Sequence, residues 1–217
     1  FGRGLAISTQ AATATPLPTR LAGSTVRVRD SGGTERLAPL FFVSPTQVNY
    51  LVPAGTRPGA ATVTFASSDN SSSTGTLQVE AVAPGLFSAN ASGRGVAAAI
   101  AIRAMASGAQ NVEPVAELDR GRNVFVPAPI DLGPDTEQVV LILFGTGIRG
   151  ATGLPGVRLT IGGEPAPVLF AGAQGQFAGL DQLNVGPIPR SLIGRGEVNV
   201  ALTVDGKAAN TVTVAIR

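Results

Sequence analysis

Residues 1–5 read Phe1-Gly2-Arg3-Gly4-Leu5, and residues 144–148 read Phe144-Gly145-Thr146-Gly147-Ile148. Beyond these two stretches, further blocks match in the same order. Thr25-Val26-Arg27-Val28 answers Gly156-Val157-Arg158-Leu159, and Ala38-Pro39-Leu40-Phe41-Phe42 answers Ala166-Pro167-Val168-Leu169-Phe170. Gln47-Val48-Asn49 answers Gln182-Leu183-Asn184, Gly59 answers Gly196, and Thr76-Leu77-Gln78-Val79 answers Thr211-Val212-Thr213-Val214. The spacings between partners differ only by loop lengths. The chain therefore reads as two copies of one small fold.

Inside each copy, apolar and polar residues alternate and turn formers bound the runs, which is the pattern of half-buried strands. Thr62-Val63-Thr64-Phe65 and Thr76-Leu77-Gln78-Val79 flank a polar loop expected over 67–75. Glu197 to Val204 and Thr211 to Ile216 flank Asp205-Gly206, a favoured tight-turn pair. In Gln47 to Pro53, alternate residues Val48, Tyr50 and Val52 share one face. Short strands with Gly/Pro turns at this spacing predict an all-β fold of two tandem immunoglobulin-like β-sandwich domains. The expected boundaries are 1–84, whose first strand is expected upstream of Phe1 or from another segment, and 85–217, enlarged by an extra β-hairpin. That hairpin falls in 88–138, which has no counterpart in copy one. Val96 to Met105 is alanine-rich, but Ile100 and Ile102 sit at period two, and Ala106-Ser107-Gly108-Ala109 reads as a turn before a strand over Val112 to Leu118.

Composition excludes more than it suggests. The 217 residues carry 16 Lys+Arg against 14 Asp+Glu, 28 Gly, 16 Pro, and neither His nor Cys. Without His or Cys the chain lacks the usual general base, the thiolate nucleophile and nearly every transition-metal ligand set. With no Trp and one Tyr, flat platforms for stacking sugars or bases are scarce. The arginines are scattered singly, with Arg27, Arg29 and Arg158 alternating along strands, so no phosphate-tracking stripe forms and no nucleic-acid partner is expected. The longest apolar runs, Val96 to Ile102 and Val139 to Phe144, fall far short of the roughly 20 residues of a membrane helix, so no membrane insertion is expected. A start at Phe1 without a basic-then-apolar leader is expected of a piece of a longer precursor.

Several motifs imitate chemistry. Gly145-Thr146-Gly147-Ile148-Arg149-Gly150 spells the dinucleotide fingerprint after an apolar strand, yet Gly153, Pro155 and Gly156 follow where a helix is needed to hold the pyrophosphate. A glycine bend leaving a strand is expected instead. Asp131, Asp135 and Glu137 are the densest acidic grouping and the weak candidates for a Ca²⁺ site, against a solvated loop. Glu117 and Asp119, beside Arg120 and Arg122, resemble a glycosidase carboxylate pair but fit a charged hairpin end. Asn70-Ser71-Ser72 and Asn90-Ala91-Ser92 match the glycosylation triplet and read as loops. No catalytic residue, resident metal or cofactor is expected, and no ligand-binding residue is identified.

Ala38 to Pro53, with Ser44-Pro45-Thr46-Gln47-Val48-Asn49-Tyr50-Leu51-Val52-Pro53 at its centre, followed by Gly55, Pro58-Gly59 and Thr62-Val63-Thr64, resembles the uncharacterised Solibacter-type C-terminal domain family. Ala83-Pro84-Gly85-Leu86-Phe87, Glu113-Pro114-Val115, Pro129-Ile130-Asp131-Leu132-Gly133 and Leu143 to Arg149 resemble its later blocks. The Phe144-Gly145-Thr146-Gly147-Ile148 corner is more loosely similar to the start of IPT/TIG immunoglobulin-like domains. The resemblance implies a non-catalytic module at the carboxyl end of a larger exported bacterial protein, extracellular or at the cell surface, and carries no site residues with it. Its expected work is attachment, spacing or protein–protein interaction with an envelope protein or polysaccharide, as a monomer or an edge-strand dimer. A carbohydrate-binding accessory module of an exported enzyme is the alternative.

Overall fold

Val26 and Val28 turn inward from the strand Thr25–Arg29 while Arg27 and Arg29 turn to solvent, and this period-two pattern recurs throughout the chain. The computed structural model describes residues 1–69 and 71–217, and within them the chain is all-β. It divides into two compact units, Phe1–Ala81 and Val82–Arg217.

The first unit holds β1 (Gln10–Ala11), β2 (Thr25–Arg29), β3 (Glu35–Leu37), β4 (Leu40–Val43), β5 (Val48–Tyr50), β6 (Gly59–Ala66) and β7 (Ser72–Val79). They form two antiparallel sheets, ordered β1-β4-β5 and β3-β2-β6-β7. Leu40 and Val43 of one sheet and Val26, Val28, Ala61 and Phe65 of the other share a single core, so the sheets are two layers closed on each other. The β6–β7 loop is shorter than the polar composition of 67–75 implies. Ser72 already pairs with Ala66 and Gly75 with Val63. Serine and threonine are tolerated there because β7 is an edge strand with both faces largely exposed.

The second unit holds β8 (Gly85–Leu86), β9 (Ala99–Ala104), β10 (Gln110–Pro114), β11 (Ala116–Asp119), β12 (Val124–Pro127), β13 (Gln138–Thr146), β14 (Val157–Ile161), β15 (Glu164–Ala166), β16 (Val168–Ala173), β17 (Asp181–Val185), β18 (Gly196–Val204), β19 (Lys207–Ala208) and β20 (Val212–Ile216). One sheet runs β10-β9-β13-β17-β16, with β8 beside the end of β13. The other runs β15-β14-β18, with β19 and β20 following each other along the far edge of β18. Leu141, Leu143, Leu183 and Val185 from the first sheet meet Leu159, Leu202, Val212 and Val214 from the second in one core.

The alanine-rich stretch is the β9–β10 hairpin, closed by the Met105 N–H donating to the Ala109 carbonyl. The strand expected over Val112 to Leu118 is broken instead. Val115 is wholly buried and the Ala128 N–H donates to its carbonyl, which splits the run between β10 and a separate β11–β12 hairpin. The segment around Ala83-Pro84-Gly85 lies inside the second unit, where the Ala83 N–H donates to the Gly147 carbonyl and Gly85 pairs with Thr146.

The sequence repeat is repeated in hydrogen bonds. The order β3-β2-β6-β7 matches β15-β14-β18-β20, and the β4–β5 pair matches β16–β17. Both pairs carry a bulge at equivalent places, between Leu40 and Phe42 and between Val168 and Phe170. The Leu51 N–H donates to the Pro39 carbonyl as the Gly186 N–H donates to that of Pro167, each at 2.8 Å. The Gln47 amide donates to Asn49 Oδ1 at 2.7 Å, and the Gln182 amide donates to Asn184 Oδ1 at the same distance.

Gly4 and Gly147 hold equivalent places, with φ of +63° and +71°, yet a Cβ on Gly4 meets open space while one on Gly147 would lie 2.0 Å from the Ala83 carbonyl oxygen. Gly4→Ala should therefore cost about 1 kcal/mol, the left-handed penalty alone. Gly147→Ala should destabilise its unit by at least about 3 kcal/mol, because backbone must move as well. Urea unfolding of the two variants measures the difference.

Candidate functional site

The acidic grouping is built around a guanidinium. Arg103, on β9, carries a side chain only 12 % exposed. Its Nε donates to Glu113 at 3.2 Å, its Nη1 to Glu137 at 3.3 Å, and its Nη2 to the Asp131 backbone carbonyl. The Glu113 pairing, followed by that of Glu137, holds its pKa above the ordinary value. Asp131 turns its own carboxylate to the Gly133 N–H at 2.8 Å and to Arg217 at 3.2 Å, and these, the Gly133 N–H foremost, lower its pKa. Asp135 is exposed and does not join them. The carboxylates of Glu113 and Glu137 thus converge on an arginine, and of Asp131, Asp135 and Glu137 only the Glu137 side chain hydrogen-bonds to it. Among the described residues no group of three or more acidic side chains is placed to hold a metal ion.

Arg190 completes this corner by donating to the carbonyls of Leu132, Gly133 and Pro134. The cleft between, lined by Leu132, Glu137, Val139, Ile188 and Arg190 among others, measures about 230 Å³. A small-molecule site usually offers roughly 300–1,000 Å³. A second groove of about 390 Å³ is lined by Leu86, Phe87, Ser88, Ala91, Gly93 and Ala98, all uncharged.

Asp119 ends the β11–β12 hairpin as a turn residue. Its Oδ1 accepts from the Gly121 and Arg122 N–H groups and its Oδ2 from Arg122 Nε at 2.6 Å; the Arg122 side chain foremost lowers its pKa. Glu117 lies exposed on the strand before it. The two acids serve a solvated hairpin end and do not face each other across a cleft. Asn90 is likewise a turn residue, its Oδ1 accepting from the Ser88 and Ser92 hydroxyls and the Ser92 N–H. Asn70 lies outside the described residues.

The glycine corner after β13 holds the most buried charge of the chain. Asp181 opens β17 and is wholly buried. Its Oδ2 accepts from the Ile148 N–H at 2.7 Å and the Arg149 N–H at 3.1 Å, while its Oδ1 accepts from Arg149 Nε. The glycines that spell a dinucleotide motif are therefore a bend, and the N–H groups a phosphate would need are taken by a carboxylate of the chain itself. Asp30 does similar work in the first unit, where its carboxylate gathers the N–H groups of Arg57, Thr34 and Gly32 and the Arg36 side chain. These, the Arg57 N–H first and the Arg36 side chain next, hold its pKa down to about 2.

Asn210 had no sequence signal. It sits where the chain leaves β19 for β20, accepts from the Leu86 N–H at 2.8 Å, and donates to the carbonyls of Leu86 and Gly93 at 2.9 and 2.7 Å. Only an interruption of the expected strand after Asp205-Gly206 could have pointed to it. Among the described residues no helix is long and apolar enough to cross a membrane. Comparison with known protein families finds no match, and no curated protein matches the chain.

Asp181→Ala strands the buried Ile148 N–H and takes the acceptor from the part-buried Arg149 N–H, so unfolding of the second unit should be easier by about 2 kcal/mol. Acid acts on Asp30 with a definite sign. A carboxyl lowered in the folded state stabilises above its ordinary 3.8 and loses that contribution as the pH falls toward about 2. Asp30→Asn should flatten the fall of the first unit's urea midpoint across that window, while leaving the second unit's midpoint as it was.

Proposed function

We propose that the chain is a non-catalytic module, two tandem immunoglobulin-like sandwiches at the carboxyl end of a larger exported bacterial protein, working at the cell surface in attachment and protein–protein interaction. One observation carries this most directly: nearly all the acidic side chains with the look of chemistry are spent on architecture. Glu113 and Glu137 hold Arg103, Asp131 pins its own loop through the Gly133 N–H, Asp119 caps a hairpin, Asp181 pins the glycine corner and Asp30 a turn. A general acid or base needs a proton it can exchange with a substrate, and a nucleophile needs an activating partner. The Arg57 N–H at Asp30, the Arg122 side chain at Asp119 and the Gly133 N–H at Asp131 favour the charged carboxylate. The repeated strand order, bulge and Gln–Asn bond support one sandwich used twice, a construction suited to spacing and docking. The resemblance of Ala38 to Pro53 to the Solibacter-type C-terminal family supports the placement in an exported protein.

The purified chain, incubated with intact source cells, should be retained saturably on their outer surface, with or without calcium. It should migrate unretarded through gels containing plant or bacterial polysaccharides, and release no product from glycoside, ester or peptide substrates. Retardation abolished by loop substitutions would replace this proposal with a carbohydrate-binding module. Turnover lost in Glu117→Gln or Asp131→Asn would replace it with an enzyme.

A further inference from the structure

The two copies differ at one sheet edge. In the second unit β17 lies between β16 and β13, so Leu183 stands opposite Leu143, Val185 opposite Leu141 and Asp181 opposite Gly145. Leu183 and Val185 are wholly buried. In the first unit the equivalent strand, β5, pairs with β4 on one side and, among the described residues, with no strand on the other. Val48 and Tyr50, at the places of Leu183 and Val185, are only half buried.

The direction of the unpaired groups follows from the bonds present. The Gln47 carbonyl accepts from the Ser44 N–H and the Leu51 N–H donates to Pro39, so odd-numbered residues face β4. Ladder alternation then turns the N–H and carbonyl of Val48 and of Tyr50 outward. The beginning of a partner strand is already in place. The Gly2 N–H donates to the Thr46 carbonyl at 3.0 Å and the Leu5 N–H to that of Pro45 at 3.0 Å, so Gly2 lies against Thr46 as its counterpart Gly145 lies against Asp181. The slot thus keeps the register of β13 and is filled only at the Gly2 end.

We propose that the free edge of β5 is a strand-acceptor site whose occupant is the stretch of polypeptide running into Phe1. It lies antiparallel to β5, continuous with Phe1-Gly2 as Gln138–Leu143 is continuous with Phe144-Gly145. The inference rests on the proposal that this chain belongs to a larger polypeptide. Register fixes the chemistry of the occupant. The residue joined to Phe1 stands opposite Val48, as Leu143 does opposite Leu183, and the residue two before it stands opposite Tyr50, as Leu141 does opposite Val185. Both are apolar and β-compatible, and neither is proline, which would remove a ladder donor. Occupation completes the core around Val48 and Tyr50 and removes an edge open to unspecific pairing.

Amide hydrogen exchange tests this on the natural polypeptide and on residues 1–217 alone. The Val48 and Tyr50 amides should exchange at least about a hundredfold more slowly in the longer protein, and proline placed directly before Phe1 should abolish the difference. A control chain with the sequence of Gln138–Leu143 placed before Phe1 should show the same protection. Equal exchange in the natural and short chains overturns the assignment of the occupant, even if the control is protected. An unprotected control overturns the acceptor site itself. Protection that grows with the concentration of the short chain assigns the edge to a second copy instead. Retention on cells is scored separately, so loss of surface binding with protection intact counts against the proposed function and not against the acceptor edge.

Discussion

Every backbone N–H and carbonyl that leaves water must find a partner, and in a two-layer β fold that demand concentrates at the edges of the sheets. The second unit meets it through β13, which is paired on both sides while Val139, Leu141 and Leu143 enter the core. The segment unique to this unit serves the same demand. Its β9 covers the far side of β13, and the Gly95 carbonyl and Ala97 N–H bond to Thr213, closing the outer edge of β20. Further along, the Ile130 N–H donates to Ala215 and Ile130 accepts from Arg217. What looks in sequence like an unexplained insertion is the cover for two sheet edges.

Charge is distributed by the same rule. Asp181 and Asp30 are buried because each gathers several N–H groups that would otherwise lack partners where the chain turns sharply. Arg103 and Arg190 gather carbonyls and carboxylates around the loop 131–137 in the complementary way. With charged residues only 14 % of the chain, those at turns act as local staples.

The fold was legible wherever its cause was local. Alternation in Thr25–Arg29 and Gly196–Val204, the Asp205-Gly206 turn and the order of the repeated blocks all act over a few residues and appear in the sheets as read. The Gln47 and Gln182 positions were visible as repeated letters, and the structure supplies the reason, an amide bond along one strand face to Asn49 and Asn184. Features resting on distant partners were not legible. Asn210 acts on Leu86 and Gly93, Asp181 on Ile148 and Arg149, and the break at Val115 depends on Ala128. The acidic trio was visible as a cluster, but only the fold shows that Arg103 occupies it and that Asp135 stands apart.

The same strand order occurs in both units, with β17 paired on both sides in the second and its counterpart β5 paired, among the described residues, on one side only in the first. Tyr50, the only tyrosine of a chain without tryptophan, lies on that open strand and reports the first unit alone. Burial holds its phenol pKa above the ordinary value, so its emission and ionisation both change on unfolding. Urea unfolding followed by Tyr50 fluorescence and by far-ultraviolet circular dichroism tests the claim directly. Two transitions are expected, with the Tyr50 transition complete at lower urea than the larger dichroic change from the closed unit. A single coincident transition would contradict it.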